Sequence, residues 1–232
     1  MNLKIRSGAL LVCLGLGCVT PAQSMEPGWY LVGFGGEASA SGLSQGQTDA
    51  NVLAIFDSIG LDAVINSSTI DDSDTGYGVA GGYQHNANFA VEFAYVNLGS
   101  VEYNAFTTVT DGVEVADAEL GLKSSAAGPV ISLLGILPVG DRFSLFGRAG
   151  LSFMSAKGTA RIAIDGTSER ARQTSQKSDP VFGAGAEFSL GKHAAIRLAW
   201  DRYLDVGTED VTGDVDTDLI TLGLRVGIGW LR

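Results

Sequence analysis

The last strand-length segment of the chain, Ile220 to Trp230, alternates without a break. Ile220, Leu222, Leu224, Val226, Ile228 and Trp230 fall on one face, and Thr221, Gly223, Arg225, Gly227 and Gly229 fall on the other. Period two is the mark of a β-strand. A strand that is wholly apolar on one face and small or charged on the other must separate two different surroundings. In a water-soluble barrel the apolar face fills the inside. In a membrane barrel it points outward, because lipid demands apolar side chains and a closed ladder leaves no backbone group unpaired.

Seven further segments carry the same signal: Trp29–Ala38, Thr75–Gln84, Phe89–Tyr103, Gly128–Gly135 (extending toward Leu120), Phe143–Lys157, Pro180–Leu190 and Ala194–Val206. Eight strands make an even number, as single-chain bacterial barrels require. The links alternate in length. His85–Asn88, Pro138–Arg142 and Gly191–His193 are short, whereas Ser39–Asp74, Asn104–Ala127, Gly158–Asp179 and Gly207–Asp216 are long. Short turns at one end and long polar loops at the other predict an all-β chain, an eight-stranded antiparallel up-and-down transmembrane β-barrel.

The charges choose between the two faces. With the apolar side outward, the interior receives Glu92, Arg148, Glu187, Arg197, Asp201 and Arg225, among small neighbours such as Ala90, Ala94, Ser144, Gly150, Gly183, Gly185 and Gly223. Three cations balance three anions, the condition for burying charge inside a low-dielectric wall. The opposite choice would set Arg148 and Arg225 against lipid at a cost of roughly 2–4 kcal/mol each. Tyr30, Tyr83, Tyr95, Phe143, Phe153, Phe188, Trp200 and Trp230 take the outward parity, several near strand ends where interfacial aromatic girdles form.

The N-terminus reads as an address. Lys4 and Arg6 precede an apolar stretch from Gly8 to Val19, and Pro21, Ala22, Gln23 and Ser24 follow. This is the pattern of a secretory signal peptide over residues 1–24, leaving a barrel domain over residues 25–232. Both cysteines, Cys13 and Cys18, lie in the leader, so disulfides and thiol chemistry are not expected in the mature chain. Gly15 stands where a lipoprotein signal wants leucine, which disfavours acylation of Cys18. The full chain has 15 Lys+Arg against 26 Asp+Glu, a formal charge of −11. Losing Lys4 and Arg6 makes it more negative still, and such a surface repels nucleic acid.

Several stretches resemble the OmpA-like outer-membrane barrel family: Asp74–Leu98 (DTGYGVAGGYQHNANFAVEFAYVNL), Leu137–Phe153 (LPVGDRFSLFGRAGLSF), Pro180–Gly207 (PVFGAGAEFSLGKHAAIRLAWDRYLDVG) and the closing DTDLITLGLRVGIGW. The resemblance implies integral residence in the bacterial outer membrane with the long loops outside. It implies envelope anchoring, surface contact or a narrow pore, and a lumen plugged by charges at positions such as Glu92, Arg148, Glu187 and Arg225. The implied partners are outer-membrane lipid and lipopolysaccharide, the barrel-assembly machinery during insertion, and a host or surface ligand at the external loops. Two departures from the family stand out. With the sequence ending two residues after Trp230, a separate peptidoglycan-binding domain and the cell-wall tethering it brings are not expected, and Leu231 and Arg232 come after the terminal aromatic.

Little else points to chemistry. His85 and His193 fall in short turns at the periplasmic end, where a general base would lack a pocket. No metal or cofactor site is expected. The carboxylates Asp71, Asp72, Asp74, Asp210, Asp214, Asp216 and Asp218 lack the spacing of a Ca²⁺ loop and read as a solvated rim. In the first loop, Asp49–Leu61 has helical spacing, with Asp49 as the expected N-cap and Gly60 as the stop. Val52, Ile55, Phe56 and Ile59 form its apolar patch, which suits a lid on the barrel mouth or a contact site; the need to bury it favours the lid. The sequence therefore predicts a non-enzymatic structural and surface-interaction barrel with a closed lumen, and a narrow non-specific porin as the alternative.

Overall fold

The computed structural model describes residues 27–58, 60–164, 167–208 and 213–228. Its elements are β1 (Gly28–Ser41), α1 (Gln45–Ser58), β2 (Asp62–Asp71), β3 (Ser73–Gln84), β4 (Phe89–Thr110), β5 (Val115–Pro138), β6 (Phe143–Ile164), β7 (Thr167–Ser189), β8 (Ala194–Thr208) and β9 (Gly213–Gly227). All neighbours pair antiparallel, and β1 pairs with β9, closing a ring of eight strands that runs β1, β3, β4, β5, β6, β7, β8, β9. The ninth strand, β2, lies outside that ring order. It pairs with the upper half of β4, just above where β3 leaves off, from Asp62↔Thr110 to Asp71↔Glu102.

The alternation read from the sequence is the alternation of the wall. Outward positions form an exposed belt that includes Leu31, Val79, Val91, Phe93, Ile131, Leu133, Leu151, Leu198, Leu222 and Leu224. Aromatics edge it, with Trp29, Tyr83, Phe89, Phe143 and Phe188 at one end and Tyr77, Tyr95, Phe153 and Trp200 at the other. Tyr30 departs from the expected parity. It is buried inside the barrel, and Trp29 takes the outward place. Both faces of this part of β1 are apolar, so alternation alone cannot choose between them. Pairing chooses, because Val32 sits opposite Arg225 and so puts the even positions of β1 in the lumen. Inside, the Tyr30 hydroxyl finds the partner that lipid would deny it.

The long links are largely strand. Asn104–Thr110, Val115–Ala127, Gly158–Ile164 and Thr167–Asp179 continue β4, β5, β6 and β7 past the lipid belt as paired ladders. The helix also begins earlier than expected. Ser44, not Asp49, caps it: its Oγ accepts from Gln47 N, and its carbonyl accepts from Thr48 N. Its end is as read. Gly60 takes φ 79°, donating to Asp57 O, while Leu61 N donates to Phe56 O. This six-to-one plus five-to-two closure satisfies the last carbonyls.

At the opposite end, short turns are tied by side chains. Asn86 Oδ1 accepts from Asn88 N at 2.8 Å and Phe89 N at 2.9 Å. His85 and His193 are exposed in these turns.

Candidate functional site

The lumen holds a single connected network of charge. Arg148 bridges Glu92 and Asp201, both at 2.9 Å. Arg197 bridges Glu92 and Glu187, both at 2.6 Å. Arg225 reaches Glu187 at 2.8 Å and also donates to Gln84 Oε1. The six charged residues named from the sequence thus meet across five strands, β4, β6, β7, β8 and β9. Glu92, Glu187, Arg197, Asp201 and Arg225 are buried, and the Arg148 side chain is nearly so.

Two partners were not legible from the sequence. Tyr30 donates its hydroxyl to Glu92 Oε1 at 2.8 Å, and its ring lies 3.7 Å from the Arg225 guanidinium carbon. A cation against an aromatic face gains from the ring quadrupole. Gln84 shares the parity of Ala80 and Gly82 on β3, and that count was the signal available for it. The lumenal glycines make room for the larger side chains. A Cβ on Gly82 would run into the Tyr30 ring, and one on Gly185 into Phe146.

Toward the outer end, the lumen is more apolar than a small-and-polar interior would be. Ala38, Val96, Leu98, Met154, Val181, Tyr203, Val206 and Leu219 pack as one cluster. Immediately above, a bulge re-aims β4. Asn97 pairs with Ala127 but Ser100 with Ser125, so one extra residue is accommodated at Gly99, whose φ is 74°. Asp74 pins the bulge, accepting from Ser100 N at 2.8 Å and Ser100 Oγ at 2.9 Å. Below the bulge the even residues of β4 face inward, and above it the odd ones do.

That switch builds a second core outside the lipid belt. Tyr103, Ala105 and Val109 of β4 join Ala118 and Leu120 of β5, and Val52 and Phe56 of α1 pack onto them. The helix therefore lies against the inward face of the extended wall. Val52 and Phe56 are 2% and 4% exposed, but Ile55 is 60% exposed and points away, so the four residues do not form one buried patch. Ile59 lies outside the described residues. Asp49 accepts from Tyr103 Oη and Ser68 Oγ, tying the helix to β4 and β2. The Tyr103 phenol is pushed up by burial and by this carboxylate.

Of the acidic rim, Asp74, Asp216 and Asp218 accept structural hydrogen bonds, whereas Asp71 and Asp72 are exposed. Asp218 accepts from Ser41 Oγ and Trp200 Nε1 and pairs with Arg202 at 2.6 Å. Asp210, Trp230 and residues 1–24 lie outside the described residues.

The sequence profile of the OmpA-like transmembrane domain matches residues 29–229. The chain belongs to this family. It is an OmpA-like barrel, integral to the bacterial outer membrane, with its long strand extensions facing the exterior. Outer membrane protein A of Escherichia fergusonii is 26% identical over 165 residues, covering 71% of this chain and 43% of that protein. The Klebsiella aerogenes protein of the same name is 27% identical over 165 residues, covering 71% and 42%. The chain thus spans less than half the length of these curated relatives. Among solved structures, OprG from Pseudomonas aeruginosa matches at 16% identity and a TM-score of 0.42, covering 89% of this chain and 99% of that one. Ail from Yersinia pestis matches at 17% identity and a TM-score of 0.38, covering 87% and 99%.

Proposed function

We propose that this OmpA-like barrel is a non-enzymatic structural and surface-contact protein whose lumen is closed by the network of Glu92, Arg148, Glu187, Arg197, Asp201 and Arg225. The observation that carries the reading is the neutrality of that network: three guanidinium groups and three carboxylates, with every cation within 3 Å of at least one anion. Eight strands leave an interior that side chains can fill. The apolar cluster above the network adds a layer that holds no charge to attract an ion. The surface-contact half of the reading is supported by the folded wall above the belt, to which α1 packs as a built element and candidate lid. Removal of residues 1–24 belongs to the same reading, and mass spectrometry of the membrane-purified chain tests it.

The narrow-pore reading draws on two spaces. One of about 110 Å³ runs from the periplasmic turns to Glu187 and Arg225. Another of about 50 Å³ lies beyond the apolar cluster, between Ala38, Leu98 and Thr217. Single-channel conductance of the refolded chain in a planar bilayer separates the two, with Arg148→Ala alongside. A silent parent and a conducting variant are expected. Steady conductance by the parent would make the pore the better reading and the network its selectivity lining.

A further inference from the structure

The outward face of β5, β6 and β7 changes character sharply above the lipid belt. Phe153 and Pro180 are the last large outward apolar residues of β6 and β7. Past a neutral row of Ala127, Ser155 and Gln176, three rows are set by the register. Ser125, Lys157 and Thr174 form one row; Lys123, Thr159 and Arg172 the next; Gly121, Arg161 and Arg170 the third. Five of the eight side chains in these rows are cationic and none is acidic, in a chain whose formal charge is −11, and the first carboxylate on this face, Glu119, comes one row further out with Ala163 and Ser168. The block measures roughly 13 Å by 10 Å from strand and residue spacings.

Two features separate this block from an ordinary solvated face. Arg161 stands directly opposite Arg170 in the β6–β7 ladder, a like-charge pair that destabilises a hairpin. And among the described residues no carboxylate pairs with Lys157, Arg161, Arg170 or Arg172; only Lys123 has an anion, Glu102 of β4. Elsewhere the fold partners its cations closely, as Arg148, Arg197, Arg202 and Arg225 show. Counting from Phe153 along a tilted strand, the block rises about 10–20 Å above the hydrocarbon edge. It faces sideways along the membrane, the direction in which the same strands face lipid below.

We propose that this block, Lys123, Lys157, Arg161, Arg170 and Arg172, is a lateral binding surface for the phosphorylated saccharide of the surrounding outer-leaflet glycolipid. The guanidinium forks suit phosphate oxygens, and the anion relieves the Arg161–Arg170 repulsion that the protein leaves uncompensated. The inference rests on the outer-membrane orientation and is independent of whether the lumen is closed, so bilayer conductance does not bear on it.

The test measures lipopolysaccharide binding to the refolded chain in neutral detergent micelles by calorimetry. The probes are the phosphorylated glycolipid, the same glycolipid after dephosphorylation, and a soluble sulfated oligosaccharide. The variant K157Q/R161Q/R170Q/R172Q should bind the phosphorylated probe at least about a hundredfold more weakly, since a basic residue near an anionic surface is worth about fivefold. The charge-keeping variant R161K/R170K/R172K should retain most of the affinity, and Arg142→Gln at the opposite end should change nothing. Dephosphorylation should cost the parent as much as the four substitutions do. Removing like charges should not harm folding, and protease resistance of the barrel checks this. Undiminished binding by the fourfold variant would overturn the proposal. So would binding of the soluble oligosaccharide with the glycolipid left unbound.

Discussion

The lumenal network makes an asymmetric demand on its anions, and that asymmetry can be measured. Among the described residues, Glu187 is the only carboxylate paired with Arg225, at 2.8 Å, and the Arg225 side chain is 2% exposed. Replacing Glu187 by Gln leaves that guanidinium with Gln84 and the Tyr30 ring. Stranding a buried cation costs about 3–5 kcal/mol. Arg197 is spared, because Glu92 still holds it at 2.6 Å. Asp201→Asn is the matched control. Arg148 loses one pair but keeps Glu92 at 2.9 Å, so the loss is that of one charge-assisted hydrogen bond, about 1.5–3 kcal/mol. Equilibrium urea unfolding in lipid vesicles, followed by tryptophan fluorescence, reads both. Adding Arg225→Gln to Glu187→Gln removes the stranded charge and should recover about 2 kcal/mol, a coupling that a double-mutant cycle isolates. If the two single variants cost the same within about 0.5 kcal/mol, or the double variant recovers nothing, the reasoning fails.

Three further outcomes follow from the same contacts. Gly82→Val should cost more than about 2 kcal/mol in the same unfolding assay, because its side chain meets the Tyr30 ring; Gly81→Val on the outward face is the control. Phe56→Ser should loosen α1 by about 2–3 kcal/mol and speed proteolysis within Gln45–Leu61, whereas Ile55→Ser should leave the cleavage rate unchanged. Asp111, in the turn between β4 and β5, accepts from Val113 N and Glu114 N. Those backbone bonds, Glu114 first, hold its carboxyl below the usual range. A depressed folded pKa means the turn's stability is complete above the ordinary carboxylate range and is lost as pH falls through the lowered value. Amide exchange at Val113 and Glu114 should therefore stay slow through the ordinary range and quicken only below it.

The barrel was legible because lipid enforces a strict period. Every ring strand was found, and parity put Glu92, Arg148, Glu187, Arg197, Asp201 and Arg225 on the face turned from lipid, since a charge on the other parity would sit in hydrocarbon. Above the belt that constraint vanishes. In Thr167–Lys177 (TSERARQTSQK) both faces are polar, so a ladder and a loop look alike in sequence. β2 was missed for a similar reason, since Asn66, Ser67 and Ser68 interrupt its alternation and a bulge falls between Ile65 and Ser67. Bulges also broke the parity count at Gly99 and again at Asp205, whose φ is 51°. Among the described residues of the helix patch, Val52 and Phe56 lie on the buried stripe and Ile55 is one position off it, a difference that approximate helical spacing does not resolve.

Because β4 and β5 run paired from the belt to the turn at Asp111–Glu114, the exterior of this protein is a continuation of its wall. A peptide tag spliced into Asn104–Thr110 or Val115–Ala127 would split rungs of a ladder that reaches down to the lumen, and would disturb insertion itself. The Asp111–Glu114 turn is where such a graft is tolerated. Antibodies raised against short linear peptides from the extended strands should accordingly miss the intact cell, whereas those selected on the folded barrel should bind it.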